Sequence, residues 1–377
     1  LARKRGLAGY LIKNWLPGLR ISPICEASRM LGLKGAAGME TRVFVPEFAD
    51  KVINSPGEPG ISYHMGVGFP EAPKDGQLKA FLLHLKTIAQ ERNRGLMERV
   101  NKYLRPVELD YEQDVVALTP AGNPTERHLC LAFARKARKV FADDKQLAQF
   151  WTEKLGVDAQ SLDLPEGRNL LGTIRAKTMK QGGVGYVKPD TGAFPKMEEM
   201  NKFVLAAGGI PTITWLDGTS EAEKEIEGLL ETAMRSGAAA INFIPDRNYG
   251  PAAGDEKLTN LYQVVELAEK LGLPVVVGTE MNSPGQKFVD DFHSQQISPL
   301  VPVFLKGAYI VYAHSVLQQR AGLGYTSDWA KENFETVAAK NEFYKKAGEL
   351  LQPWREELLD GLPEDVSPKK ILEKCAG

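Results

Sequence analysis

From Gly208 to Asn282 the chain reads strand, helix, strand, helix, strand. GGIPTITWLDG, SEAEKEIEGLLETAMRSG, AAAINFIPDRN, DEKLTNLYQVVELAEKLG and LPVVVGTEMN follow one another without a long linker. Short apolar runs bounded by glycine fit buried strands, and the intervening stretches carry apolar residues at helical spacing. Three strands joined by two crossover helices predict a parallel sheet. Ser220 and Glu223 stand at capping-box spacing and open the first of these helices. Gly278 suits a strand end, so Glu280 and Asn282 are expected to emerge together at the rim of the sheet.

A similar rhythm occupies the first seventy residues. GLAGYLIKNW reads as a strand, ISPICEASRMLGL as a short helix, KGAAGMETRVF as a second strand and ISYHMGVGF, with His64, as a third. From about Gly76 the pattern changes to long helices, among them DGQLKAFLLHLKTIAQERNRGLMERVNKYL, TERHLCLAFARKARKVF and DDKQLAQFWTEKLG. The expected divisions are therefore 1–75 for a first α/β part, 76–200 for a helical insertion or lobe, 201–326 for a second α/β part and 327–377 for a helical tail. Neither α/β part has strands enough to close alone, so both are expected in one sheet or barrel. After Pro284, QKFVDDFHSQQ reads as a helix placing His293 on the side of Asp290, and YIVYAHSV as a strand carrying His314.

With 47 basic and 48 acidic residues, the 377-residue chain gives no electrostatic reason to expect nucleic acid or an anionic membrane as partner. A small anionic molecule and a homo-oligomer remain as partners. Cys25, Cys130 and Cys375 are too few and too scattered for a disulfide framework, which points to a reducing, cytoplasmic compartment. No apolar run reads as long enough to span a bilayer, and the basic start LARKRGLAGYLIKNW, with no long hydrophobic region or small-residue cleavage signal, does not read as a signal peptide. Beginning at a leucine inside what reads as a helix leading to a strand, the sequence carries the expectation of an upstream segment.

If both α/β parts share one sheet, Glu40, Asp217, Asp246 and Glu280 stand at successive strand ends, where barrel enzymes gather catalytic groups. Asp217, before GTSEAE, also fits a helix cap. Of the five histidines, His84 reads as a plain helix residue and His293 as a partner of Asp290. His64 and His128 are the better ligand candidates, and His314 is either a third imidazole or a hydrogen-bonded core residue. Imidazole with carboxylate suits zinc or a transition metal, whereas carboxylates alone suit magnesium. Lys13, Arg42, Arg127 and Arg247 add cationic groups, and the guanidinium fork matches phosphate or carboxylate oxygens.

In the order of these segments the chain resembles the PHP (polymerase and histidinol phosphatase) superfamily of metal-dependent phosphoesterases, built on a distorted seven-stranded barrel. AAGMETRVF resembles that family's segment ending Gly-x-Glu, ISYHMGVGF its histidine before a glycine-rich turn, and VVVGTEMNSPG its closing Gly-Ser-Asp-x-His. GLAGYLIKNW and GGIPTITWLDG resemble the strands that there end in Asp-His and Ala-His-Pro. Here Asn14 and Trp15 occupy the Asp-His place and WLD holds no histidine, which puts a full trinuclear site in doubt. The resemblance implies an α/β, distorted TIM-like (β/α)7 barrel with a helical insertion and a helical C-terminal tail. It implies one or two divalent ions, Zn2+ or Mn2+ with Mg2+ as a third choice, held by Glu40, His64, Glu280 and Asn282. Such an ion would activate water for hydrolysis of a small anionic substrate, a phosphoester first. Arg42 or Arg247 would hold the anion, His128 would donate to the leaving group or complete the metal shell, and Asp217 stands as a further catalytic candidate. A non-catalytic barrel binding a small anion, and an isomerase or aldolase-type barrel, are the alternatives.

Overall fold

The computed structural model describes residues 9–12, 21–119, 122–188, 192–249, 253–280 and 287–377. Both α/β parts contribute to one six-stranded sheet whose spatial order follows the chain: β1 (Gly9–Ile12), β2 (Lys34–Phe44), β3 (Ile61–Phe69), β4 (Ile210–Thr214), β5 (Ala240–Phe243) and β6 (Val275–Val277). The pairs β1–β2, β4–β5 and β5–β6 are parallel, as crossover connections require. Strand β3 runs antiparallel to both neighbours. Its link from β2 holds only a single 3-10 turn, Pro46–Phe48, and bends, too little to carry the chain back across the sheet, so it returns alongside. The result is an α/β partial barrel, a curled sheet left open with β1 and β6 as its edges among the described residues.

Residue parity along the strands divides two cores. Met39, Val43, Ile213, Trp215, Ile241, Phe243 and Val275 pack beneath α6 (Met197–Ala206), α7 (Ile226–Arg235) and α8 (Gly254–Lys270). The other face, with Ala36, Met65, Val67, Ile210, Ala240 and Val276, packs on a different helix, α9 (Val301–Ala321). The tail helices α10 (Asp328–Asn333), α11 (Val337–Leu350) and α12 (Pro368–Ala376) close that side.

Helix α9 corrects the expected strand YIVYAHSV. Its Pro302 sits in the first turn, where a missing N–H is harmless, and Gly322 in the left-handed region ends it. Gly307 presses on β6 so closely that an added Cβ would lie 1.8 Å from the Val275 carbonyl oxygen. The segment Ser298–Ala321 also corrects the reading of bilayer-spanning potential, being long and apolar enough by length and composition. It is mainly a core helix, 61% buried over its most apolar stretch. QKFVDDFHSQQ forms bends and turns from Lys287 onward rather than a helix, and the His293 N–H donates to Asp291.

Between β3 and β4 lies the helical lobe: α1 (Ile21–Met30) precedes it near β2, and α2 (Gly76–Tyr103), α3 (Glu126–Val140), α4 (Asp144–Leu155) and α5 (Arg168–Ile174) build it. Asp75 and Asp143 cap α2 and α4. Phe133, Trp151, Leu129 and Ile174 belong to a third core separate from both faces of the sheet.

Candidate anion site at the sheet rim

The carboxyl ends of β2, β4, β5 and β6 and the start of β3 share one rim, because Phe44 opposes Ile61 and Arg42 opposes Tyr63 in the antiparallel register. Side chains directly opposite in such a pair project to the same face, and successive residues alternate. Glu40 and Arg42 therefore share a face with Met65 and Tyr63, whereas Thr41 shares the other with His64.

Arg42 is the centre of a charged cluster where the rim meets the lobe. Its Nη1 donates to Glu58 Oε2 at 2.6 Å, and its guanidinium lies 4.4 Å from the centre of the Phe194 ring. Arg92, reaching over from α2, lies 4.9 Å from the same ring. Phe194 is held beside the end of β2 because the next residue, Pro195, accepts the Phe44 N–H at 2.9 Å and Lys196 bridges to Phe44. The negative face of an aromatic ring attracts cations, so one phenyl group gathers two like charges. Arg92 is half-buried and makes no hydrogen bond or ion pair among the described residues. Burial, then the charge of Arg42, pushes its pKa down to about 10, with Glu58 and Glu126 opposing. Glu126, at the start of α3, accepts from Arg175 at 2.8 Å and pairs with Lys180 at 2.9 Å. Burial raises the pKa of the Tyr63 hydroxyl, which also feels Arg42, Glu40, Glu58 and Arg175. The cluster thus assembles cations and carboxylates from β2, the loop before β3, and the lobe.

A second group occupies the rim after β4, β5 and β6. Arg247 Nη1 donates to Glu280 Oε2 at 3.2 Å, and its Nη2 lies 3.9 Å from Asp217 Oδ2. Asp217 also takes Lys257 Nζ at 2.8 Å and the Thr219 hydroxyl at 2.6 Å. Burial raises its pKa, but the bonds from Lys257 and Thr219 outweigh this and leave the carboxyl below its usual range. Glu223 completes only half of the expected capping box. Its N–H donates to Ser220 Oγ, but its buried carboxylate accepts the N–H groups of Leu216, Asp217 and Gly218. Asp290, pushed up to about 6 chiefly by burial, accepts the Asp246 N–H.

The structure therefore brings Asp217, Arg247 and Glu280 together, and places Arg42 in a separate charged cluster, with Glu40 on its face of the sheet. His64 is fully buried, with Nε2 2.6 Å from Asn201 Oδ1 on α6, and burial pushes its pKa down to about 4. His128 lies in the first turn of α3, where Nδ1 accepts the Thr125 N–H at 3.1 Å. His314 is a bonded core residue, with Nδ1 accepting from Tyr325 and Nε2 donating to Gly208. His84 is exposed on α2. Lys13, Asn14, Trp15 and Asn282 lie outside the described residues.

The expected divalent metal, whether Zn2+, Mn2+ or Mg2+, is corrected by this geometry. Among the described residues no three of His, Cys, Asp and Glu stand close enough to hold a metal ion. The reason is physical: strand register sends Glu40 and His64 to opposite faces, and Glu280 meets a guanidinium. Arg92, Phe194 and Glu58 were missed by the sequence reading. The available signal was that Arg42 follows Glu40 by two residues on a strand and so shares its face.

No family model matches the sequence, and no curated protein matches it. Among solved structures, an amidohydrolase from Chromobacterium violaceum with bound sulfate and no metal is similar over 81% of this chain and 88% of its own, at 16% identity and a TM-score of 0.50. A candidate metal-dependent phosphoesterase from Bifidobacterium adolescentis is similar over 80% and 88%, at 15% identity and a TM-score of 0.47. The likeness to the amidohydrolase is one of fold.

Proposed function

We propose that this chain binds a small anionic molecule at the charged cluster where the sheet rim meets the helical lobe, with Arg42 and Arg92 as its recognition groups. The observation that carries this reading is Arg92, a half-buried guanidinium with no hydrogen-bonded or ion-paired carboxylate among the described residues, drawn beside a second guanidinium on Phe194. Two like charges in a shielded place destabilise each other, and an anion between them removes that penalty while accepting bonds from both forks. The amidohydrolase of similar fold carries sulfate in its structure; that agrees with the reading without bearing its weight.

Titration calorimetry with inorganic phosphate tests it. Arg92→Met is expected to weaken phosphate binding at least tenfold, as loss of one charge-assisted hydrogen bond of about 1.5–3 kcal/mol requires. Binding unchanged in both Arg92→Met and Arg42→Gln would sink the assignment.

The fold favours a second reading, in which the anion is an ester or amide to be hydrolysed. On this reading Glu40, exposed and on the face of β2 that carries Arg42, takes a proton from attacking water. In that case Glu40→Gln abolishes turnover while phosphate binding persists.

A further inference from the structure

The two guanidiniums on Phe194 are not equivalent. Arg42 already holds a carboxylate: Nη1 meets Glu58 Oε2 at 2.6 Å, and the same oxygen accepts the Ser55 hydroxyl. This pair is shielded, with side-chain exposures of 21% for Arg42 and 12% for Glu58, so water screens it weakly. Arg92, over the same ring, has no such hydrogen-bonded partner among the described residues.

We infer that Glu58 is a resident competitor that sets which anions the cluster accepts, an inference that rests on the anion-binding reading above. An arriving anion can reach Arg92 without displacing anything, but to use Arg42 it must supplant the Glu58 carboxylate or share the fork with it. A monoanion replacing Glu58 exchanges one negative charge for another and gains little at Arg42. A dianion brings a second charge, engages both guanidiniums and outweighs the carboxylate it displaces. Glu58 thus discriminates by ligand charge and excludes weak monoanions, a negative element in recognition. Glu58 touches the recognition arginine and acts on the ligand through it and through its own charge.

The opposite role, alignment of Arg42 for the ligand, predicts the opposite sign, which makes the experiment decisive. Binding of inorganic phosphate at pH 8, where the dianion dominates, and of acetate is measured on the wild-type chain and on Glu58→Gln. Glutamine keeps the size of the side chain and an oxygen for Ser55 but removes the charge. The expected result is acetate binding at least tenfold tighter in Glu58→Gln, with a smaller gain for phosphate, so that the preference for the dianion shrinks. Glu58→Asp, which keeps the charge on a shorter arm, is expected to fall between the two and guards against a folding defect in the first variant. Weaker or unchanged acetate binding in both variants, with phosphate binding to the wild type intact, overturns the competitor role. Failure of the wild type itself to bind phosphate overturns the anion reading instead.

Discussion

Replacing Arg92 by methionine should make the ligand-free protein more stable, not less. Methionine keeps an unbranched apolar stem to lie against Phe194 and removes the charge. The guanidinium pKa is pushed down to about 10, mainly by burial and next by Arg42, from an ordinary value above 12. At 1.36 kcal/mol per tenfold in proton affinity, this places a penalty of about 3 kcal/mol on the charged form. Loss of the cation–π contact gives back about 1 kcal/mol. The net expectation is a gain on the order of 1–2 kcal/mol at pH 7. The sign follows from linkage: the folded-state pKa of a cation is depressed, so the penalty is present at every pH below about 10 and is relieved only as pH rises through that value. Urea denaturation without added anion reads the gain as a higher midpoint at unchanged slope. With phosphate at 100 times its dissociation constant, the wild type should gain about 2.7 kcal/mol and the variant far less. A variant less stable than wild type without anion would refute the claim that Arg92 is held at a cost for its ligand.

Three further outcomes follow from buried groups and close contacts. Burial depresses the pKa of both His64 and His314 to about 4, so each withholds stability as pH falls from 6.5 through 4; at pH 5 the loss is roughly 2 kcal/mol each relative to pH 8. Asp290, raised to about 6, offsets this by about 1 kcal/mol, and His64→Gln should flatten the urea midpoint between pH 6.5 and 5. Glu223→Ala strands three amide N–H groups at the end of β4 and should lower stability by about 3 kcal/mol in urea; Glu223→Gln, able to accept from Asp217 and Gly218 with one oxygen, should lose less. Gly307→Ala drives a Cβ into the Val275 backbone and should sharply reduce the melting temperature, while Gly172→Ala in α5, with nothing within 4 Å, should leave it equal or higher.

Strands β2 and β3 were legible to their end residues because breakers bracket them: Gly32 before one and Pro46 after it, Gly60 and Pro70 around the other. The segment of α9 was misread for the complementary reason. A helix apolar on nearly every side has no amphipathic period, and its Tyr-Ile-Val-Tyr composition is that of a strand. Only its length between Pro302 and Gly322 argued for helix. Asp217, Asp246 and Glu280 were legible as positions just beyond strand ends, since glycine and apolar runs locate the rim, whereas Glu40 lies within β2 opposite Met65 rather than at its end, and the partners of none of them were legible. Whether Glu280 meets a metal or a guanidinium depends on Arg247 from the neighbouring strand end. Whether Glu40 and His64 can meet depends on a register in which Thr41, not Glu40, opposes His64. A shift of one residue would have reversed that outcome without changing a letter of either strand. Arg92 was less accessible still, because a long helix within an insertion brings it to the rim, and the pairing of Pro195 and Lys196 with Phe44 of β2 sets Phe194 beside it. Here the local sequence specifies which groups can reach the rim, while inter-element packing decides their charge partners. The proposed anion site is therefore a property of how the insertion is seated on the sheet, and the sharpest sign of it is a guanidinium that no strand motif contains.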